Sequence, residues 1–476
     1  MAESAQHRLN IVAKACAILL SVLCLAKGAV YDSTIAFALI ATLPMLWFAL
    51  RETKQVHGQL KRLGIVFFSA ILAICVLQWI FPPTGETAAL WQELSAISGG
   101  DSNATFTLDK AAWLQSVGRT IFLLVIFVLA LCIGSTEASA RHFLETLLMS
   151  GAVCVTLTFS MATSEGVPMT TFYSYSHGFV NPNNAATYMG VMLLIALAHV
   201  FRFIKIPPKA FYKIFLEFID TLSMPIILKG CFLLFALLLA MAGLFMTGSR
   251  GGIIVTFLSS ALLCVTILFK MNLQSEIRKG IMITAGIVMA LISFWIFLNF
   301  GQVALNKLTM QGADANSRFD IYAATLPMIA HHPILGSGIG SFSGAFQAYR
   351  PHTISSDGII DKAHNSYLEF AAEMGVPALA LLLVVIGIIA YALYRGIREH
   401  KEYYVLPTLG LSVLTLGALH SLVDFPLQIP AIAALFIAIV TVCLSQNERP
   451  FCVPIEKPPE PTKRVRTRTK RARKEI

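Results

Sequence analysis

Residues 377–394 read PALALLLVVIGIIAYALY, without a single charged side chain. An apolar run of roughly 18 residues is as long as a helix needs to cross the hydrocarbon of a bilayer. Lipid offers no partner to backbone amides, so such a run is helical there. Similar runs recur outward from it in both directions. They predict about twelve spans, near residues 10–30, 33–50, 63–82, 118–134, 142–163, 184–203, 229–246, 251–270, 280–300, 377–394, 404–423 and 427–446. The expected fold is all-α: a polytopic integral membrane protein with about twelve transmembrane helices and a large, partly helical loop outside the membrane.

Composition points the same way. Of 476 residues, 56% are hydrophobic and only 13% charged, with a mean hydropathy of +0.72. That is too little charge to cover a soluble protein of this size. A net charge of +10 would suit nucleic acid, but its placement argues against such a partner. Much of the excess lies in residues 463–474, KRVRTRTKRARK, behind a proline-rich linker at 454–461. A basic tail beyond a span reads as an orientation signal or a contact with anionic membrane lipids. Cys16, Cys24, Cys75, Cys132, Cys154, Cys231, Cys264 and Cys443 fall within the expected spans, with no CxxC pair. They read as small core residues rather than a disulfide framework or a metal site. The first apolar run leads directly into the second, with no convincing cleavage site between them.

The positive-inside rule orients the spans. With both termini in the cytoplasm, Arg51, Lys54, Lys61 and Arg62 fall in the first cytoplasmic loop. Arg202, Lys205, Lys209 and Lys213 follow, then Lys270, Arg278 and Lys279, then Arg395, Arg398 and Lys401. Only the loop at 135–141 is weak, with Arg141 against Glu137. Residues 209–220 are amphipathic and read either as a helix along the cytoplasmic surface or as an ordinary connector. The opposite side carries the longer loops, near 83–117 and 301–376. Within the second, Phe319, Ile321, Tyr322, Leu326, Met328 and Ile329 suggest a packed helix beginning near Asn316 or Ser317 and ending at His331-His332-Pro333. The chain therefore divides into N-terminal transmembrane helices (1–176), a core (177–446) holding the loop 301–376, and a basic cytoplasmic tail (447–476).

Several outward-facing elements could carry chemistry. His177-Gly-Phe-Val-Asn181-Pro-Asn183-Asn184 precedes the sixth span and reads as a helix cap or as polar site residues. Thr247-Gly-Ser249-Arg250-Gly251-Gly252 lies between two apolar runs with almost no loop, so Arg250 stands at the membrane edge. A cation there either snorkels to the interface or faces a ligand, and the flanking glycines allow close approach. Arg318 is either a solvated loop charge or part of a site. The glycines of Gly336-Ser-Gly338-Ile-Gly340 lack the preceding strand of a dinucleotide loop. His364-Asn365-Ser366-Tyr367 opens a short helix ending at Gly375; its histidine is either structural or a general base at the bilayer surface. Arg350, His352 and Asp424 also face outwards. No metal-binding pattern accompanies them, and neither metal nor cofactor is expected.

In this order, NPNN, TGSRGG, SRFDIY, HHPILGSGIGSF and HNSYLEFAAEMG resemble the O-antigen ligase and polymerase superfamily of bacteria, most strongly over residues 177–390. The resemblance implies an enzyme of the bacterial inner membrane with a periplasmic active site. It would move a glycan from an undecaprenyl-diphosphate carrier to an acceptor hydroxyl, by an inverting, metal-independent reaction. By motif, Arg250 and Arg318 match the arginines that engage the diphosphate, and His364 matches the histidine near the reacting sugar. Asn181, Asn183, His177, Ser249, Asn365, Tyr367 and Arg350 are the expected substrate-binding residues. Two positions depart from the family: Ala378 stands where a second glycine is common, and Tyr322 where tryptophan often is.

The leading expectation is ligation to lipid A–core. Polymerisation of lipid-linked repeats uses the same donor with another acceptor, and transfer to protein is a further variant. A polysaccharide or lipid transporter is the alternative of a different class. It would place paired charges and repeats around the midplane, whereas these spans are nearly free of charge.

Overall fold

The computed structural model describes residues 2–53, 56, 58–83, 86–98, 104–164, 178–203, 224–271, 280, 312–354, 359–400 and 404–447. Residues 281–300 of the expected span at 280–300, the amphipathic segment 209–220, loop residues 301–311, His177 and the tail beyond 447 lie outside them.

The described residues form helices and connecting turns, with no strand among them. The chain begins with α1 (Ala2–Leu25), α2 (Asp32–Glu52) and α3 (Gly58–Ile80). A short α4 (Glu86–Ser98) then precedes α5 (Lys110–Ile133) and α6 (Glu137–Ser164). Next come α7 (Pro182–Phe203), α8 (Met224–Met246) and α9 (Arg250–Lys270). The late loop holds α10 (Gly312–His331), α11 (Phe342–Phe346) and α12 (Ser366–Met374). Three helices close the bundle: α13 (Val376–Glu399), α14 (Val405–His420) and α15 (Pro430–Leu444). Among the described residues, 9 helices are long and apolar enough to cross a membrane, while α14 and α15 are shorter apolar helices.

The apolar runs locate these helices well, but not all their ends. α5 starts at Lys110, well before the run that predicts it, because the Asp109 side chain caps it by accepting from Ala112 N at 2.9 Å. α4 falls in a stretch expected to be loop. Of the expected core cysteines, Cys231 is exposed and Cys264 half-buried.

α7 is the central helix, with 83% of its apolar window buried, and it packs on α8, α9 and α14. Gly190 permits the tight crossing: a Cβ there would come within 2.4 Å of Thr256 Oγ1 and 2.6 Å of Leu416 Cδ1. Small residues at such crossings replace the hydrophobic drive that lipid removes. Exposed Phe37, Ile40 and Leu43 on α2 and Leu383, Val384 and Ile388 on α13 form outer faces suited to acyl chains.

The two ends of the bundle differ. At one end Arg8 pairs with Glu52 at 2.7 Å and Arg202 with Glu137 at 3.2 Å, while Lys270 Nζ donates to Arg398 O at 3.1 Å. The other end carries a helical lobe built from residues 312–376. Ile321, Met328, Phe342, Phe346, Ala363 and Ala372 form its core, with Phe342 and Phe346 stacked at 5.2 Å. α10 is packed on one side only: Phe319 and Leu326 point outwards.

The glycine run joins this lobe to the bundle. Gln78, buried on α3, donates to Leu335 O (2.6 Å) and Glu373 O (2.8 Å) and accepts from Ile339 N (3.0 Å). Gly338 has φ +109°, and a Cβ on it would lie 2.2 Å from Thr107 Oγ1. The spacing of these glycines thus serves close packing.

Candidate active site

Residues 420–424 (HSLVD) form a tight turn between α14 and α15. Backbone N–H groups of Val423 and Asp424 both donate to His420 O, at 3.1 and 3.0 Å. The turn is gripped from every side. From the lobe, Arg318 Nη1 donates to Val423 O (3.1 Å) and Asn365 Nδ2 to Leu422 O (3.0 Å). Ser366 donates through its amide to Ser421 O (2.9 Å) and through its hydroxyl to Asp424 O (3.1 Å). The Tyr367 hydroxyl donates to Ala418 O at 2.9 Å. From α7, Asn183 Nδ2 donates to Asp424 Oδ2, and Thr187 Oγ1 meets His420 Nδ1 at 2.7 Å.

Asp424 sits at the centre, only 1% exposed. His364 Nδ1 lies 3.4 Å from its Oδ1, close but not aligned as a well-directed hydrogen bond. Phe425 N donates to the same oxygen at 2.9 Å, and the His364 ring meets Phe425 edge-on at 5.2 Å. Burial pushes the Asp424 carboxyl up. His364, His420 and the Phe425 amide outweigh it and hold the group below its ordinary value.

His364 has φ +53°. Left-handed backbone costs an L-residue roughly 1–2 kcal/mol, although histidine adopts it more readily than most. Tyr322 holds the strained peptide, its hydroxyl donating to His364 O at 2.9 Å. Asn365 caps α12 by accepting from Tyr367 N (3.0 Å) and Leu368 N (3.1 Å). The strained residue and the cap together turn the imidazole towards Asp424.

Arg250 is exposed at the N-terminus of α9. Ser249 caps that helix, its Oγ accepting from Gly252 N at 3.1 Å. The two glycines let the helix end press on the turn. A Cβ at Gly251 would lie 3.2 Å from Val423 Cγ2, and one at Gly252 3.3 Å from His420 Cε1. The N-terminal end of α9, which begins at Arg250, and the Arg318 guanidinium therefore both lie against the turn that holds the buried carboxylate, and a helix N-terminus favours an anionic ligand.

The structure thus brings His364, Arg318, Asn183, Asn365 and Tyr367 onto one turn, with Arg250 beside it. Asn181 and Ser249 act as caps; Asn181 Oδ1 accepts from Asn183 N at 2.8 Å. Arg350 stands at the end of a helical turn (Gln347–Tyr349) and donates to Gln347 Oε1 at 3.3 Å. Sequence reasoning placed Asp424 only among outward-facing residues that could line a donor or acceptor groove, and passed over His420 and Thr187. The available signal was a carboxylate at the membrane edge, four residues after a histidine.

These features describe a bundle of apolar, membrane-length helices with a histidine, a buried carboxylate and an arginine gathered at one end. A family model described as O-Antigen ligase matches residues 235–383, so this region matches the O-antigen ligase superfamily read from the motifs. The match supports a glycosyltransferase-type enzyme, an O-antigen ligase or polymerase-like membrane glycan transferase working on lipid-linked glycans. It includes Arg250, Arg318 and His364, while Asn183, His420 and Asp424 lie beyond it. A comparison with curated proteins found no match.

Proposed function

We propose that the protein transfers a glycan from undecaprenyl diphosphate to the hydroxyl of lipid A–core at the periplasmic face of the inner membrane. The observation that carries this reading is the convergence of His364, Arg318 and the Arg250 end of α9 on the turn holding Asp424.

The chemistry follows from the charges. An acceptor hydroxyl attacks the anomeric carbon of the donor sugar from the face opposite the diphosphate. The bond from that carbon to the phosphate oxygen breaks, its electron pair leaves with undecaprenyl diphosphate, and the anomeric centre inverts. With Nδ1 turned to Asp424, His364 accepts the hydroxyl proton at Nε2. Arg250 and Arg318 stabilise the departing anion through charge-assisted contacts, and α9 adds its dipole. Asp424 is a positioning residue that sets the imidazole and stabilises its charged form. The proposal includes cytoplasmic termini, about twelve spans and a reaction free of metal. Polar groups gathered at one end of a bundle whose spans are nearly free of charge favour surface chemistry over transport.

The test is a reconstituted transfer assay with labelled undecaprenyl-diphosphate glycan, run with and without lipid A–core. Product that requires lipid A–core establishes the ligase. Lengthened lipid-linked chains in its absence would replace it by the polymerase, and no transfer under either condition would overturn both.

A further inference from the structure

Lys362 and Glu369 form a buried ion pair that the proposed reaction does not use. Glu369 Oε1 accepts from Lys362 Nζ at 3.1 Å, with the carboxylate almost wholly enclosed. Its second oxygen, Oε2, accepts from Ala363 N at 2.7 Å. Ala363 is itself fully buried and directly precedes the left-handed His364.

Burying a carboxylate is costly, and a buried ion pair is a poor device for stability alone. An apolar side chain would fill position 369 more cheaply, since the lobe core already supplies Ala363 and Ala372. What an apolar side chain lacks is the acceptor for Ala363 N. That acceptor and the Tyr322 hydroxyl on His364 O fix the chain just before and just after the His364 Cα. The lysine balances the buried carboxylate: burial pulls the Lys362 ammonium down, but Glu369 and Glu373 more than offset it and hold it above its ordinary value.

We propose that Glu369, charge-balanced by Lys362, is a positioning residue that holds His364 in its left-handed conformation with the imidazole aimed at the reacting hydroxyl. The proposal rests on His364 being the base. Displacing a reacting group by about 1 Å costs on the order of a hundredfold in rate, so the effect falls on kcat and spares donor binding.

The experiment compares wild type, Glu369→Leu, Glu369→Gln and His364→Ala in the reconstituted assay, with kcat and donor KM measured separately. Glu369→Leu is expected to lower kcat by about 10- to 100-fold with KM changed less than about twofold. Glu369→Gln keeps an oxygen for Ala363 N and should recover most of that loss. Wild-type kcat in Glu369→Leu, with His364→Ala inactive, overturns the positioning role and leaves the base assignment standing. A loss that appears in KM alone also overturns it. Full transfer by His364→Ala fails the base assignment itself, a different outcome from either. Should Glu369→Leu not reach the membrane, Glu369→Met with Lys362→Met, which removes the acceptor for Ala363 N and its charge partner together, carries the test: kcat must fall by several-fold at constant KM, and an unchanged kcat overturns the proposal.

Discussion

A histidine in left-handed backbone is an expense wherever it stands, and His364 stands where its imidazole reaches a buried carboxylate. Residue chemistry therefore gives the sharpest predictions. Asp424→Asn keeps the shape but loses the charge that orients and stabilises the imidazolium, and transfer should fall by about a hundredfold or more. Arg250→Ala should cost about a hundredfold, or roughly 3 kcal/mol, without lowering the membrane level. Both are read in the transfer assay beside an immunoblot of the membrane fraction. The pH dependence has a definite sign. Because the Asp424 carboxyl is held below its ordinary value of 3.8, its contribution to stability is complete above that pH. It is lost only as pH falls through the lower folded value, so acid-induced loosening of the turn should set in below about 3.8 in wild type. Loss of the turn's integrity at pH 5 would contradict it. At this scale the sequence is only partly readable. His364, Arg250 and Arg318 stand in recognisable motifs. Asp424 and Thr187 matter through contacts made far along the chain (Asn183 with Asp424, Thr187 with His420); the spacing of Asp424 after His420 marks the pair but not these partners.

Among the elements, close helix crossings and the glycine run do the assembling. Gly190→Ala puts a methyl group against Thr256 and Leu416 where α7, α9 and α14 meet. Overpacking of this kind costs about 1–3 kcal/mol, so the detergent-solubilised protein should melt several degrees lower. Glu373 ties α12 to the lobe, its Oε1 accepting from Phe342 N at 2.9 Å. Burial, with the nearby Glu369 charge, pushes its carboxyl up to about 7. A raised carboxyl stabilises fully below its ordinary 4.5, and the contribution is lost as pH rises through the folded value. Glu373→Gln, which stays neutral, should therefore raise the melting temperature at pH 8 and leave it nearly unchanged at pH 5. An equal rise at both would contradict this. Spans were legible because apolar runs carry their own length signal. The early start of α5 was not, because it depends on the Asp109 cap outside lipid. The glycine run was legible as unusual but not as packing, since its partners, Gln78 and Thr107, lie more than two hundred residues earlier.

Across the whole molecule, the candidate site lies at one end of the bundle and the ion pairs of Arg8 and Arg202 at the other. α7, α9 and α14 carry Asn183, Arg250 and His420 to the same end, although they are far apart in sequence. The opposite end holds Arg8, Arg202, Lys270 and Arg398, the distribution expected of a cytoplasmic face. The loops alone separate these two groups of residues, because charge placement is a property of sequence. The way the late loop folds back onto the turn at 420–424 was not, because it rests on backbone carbonyls that every sequence supplies. The central claim is that this assembled site moves glycan from its lipid carrier with His364 as the base. Its most direct test is single-turnover transfer by wild type and His364→Ala, reconstituted at equal membrane levels with labelled undecaprenyl-diphosphate glycan and lipid A–core. The account predicts product from wild type and at least about a hundredfold slower transfer from the variant. Undiminished transfer by His364→Ala, or none by wild type, would contradict it.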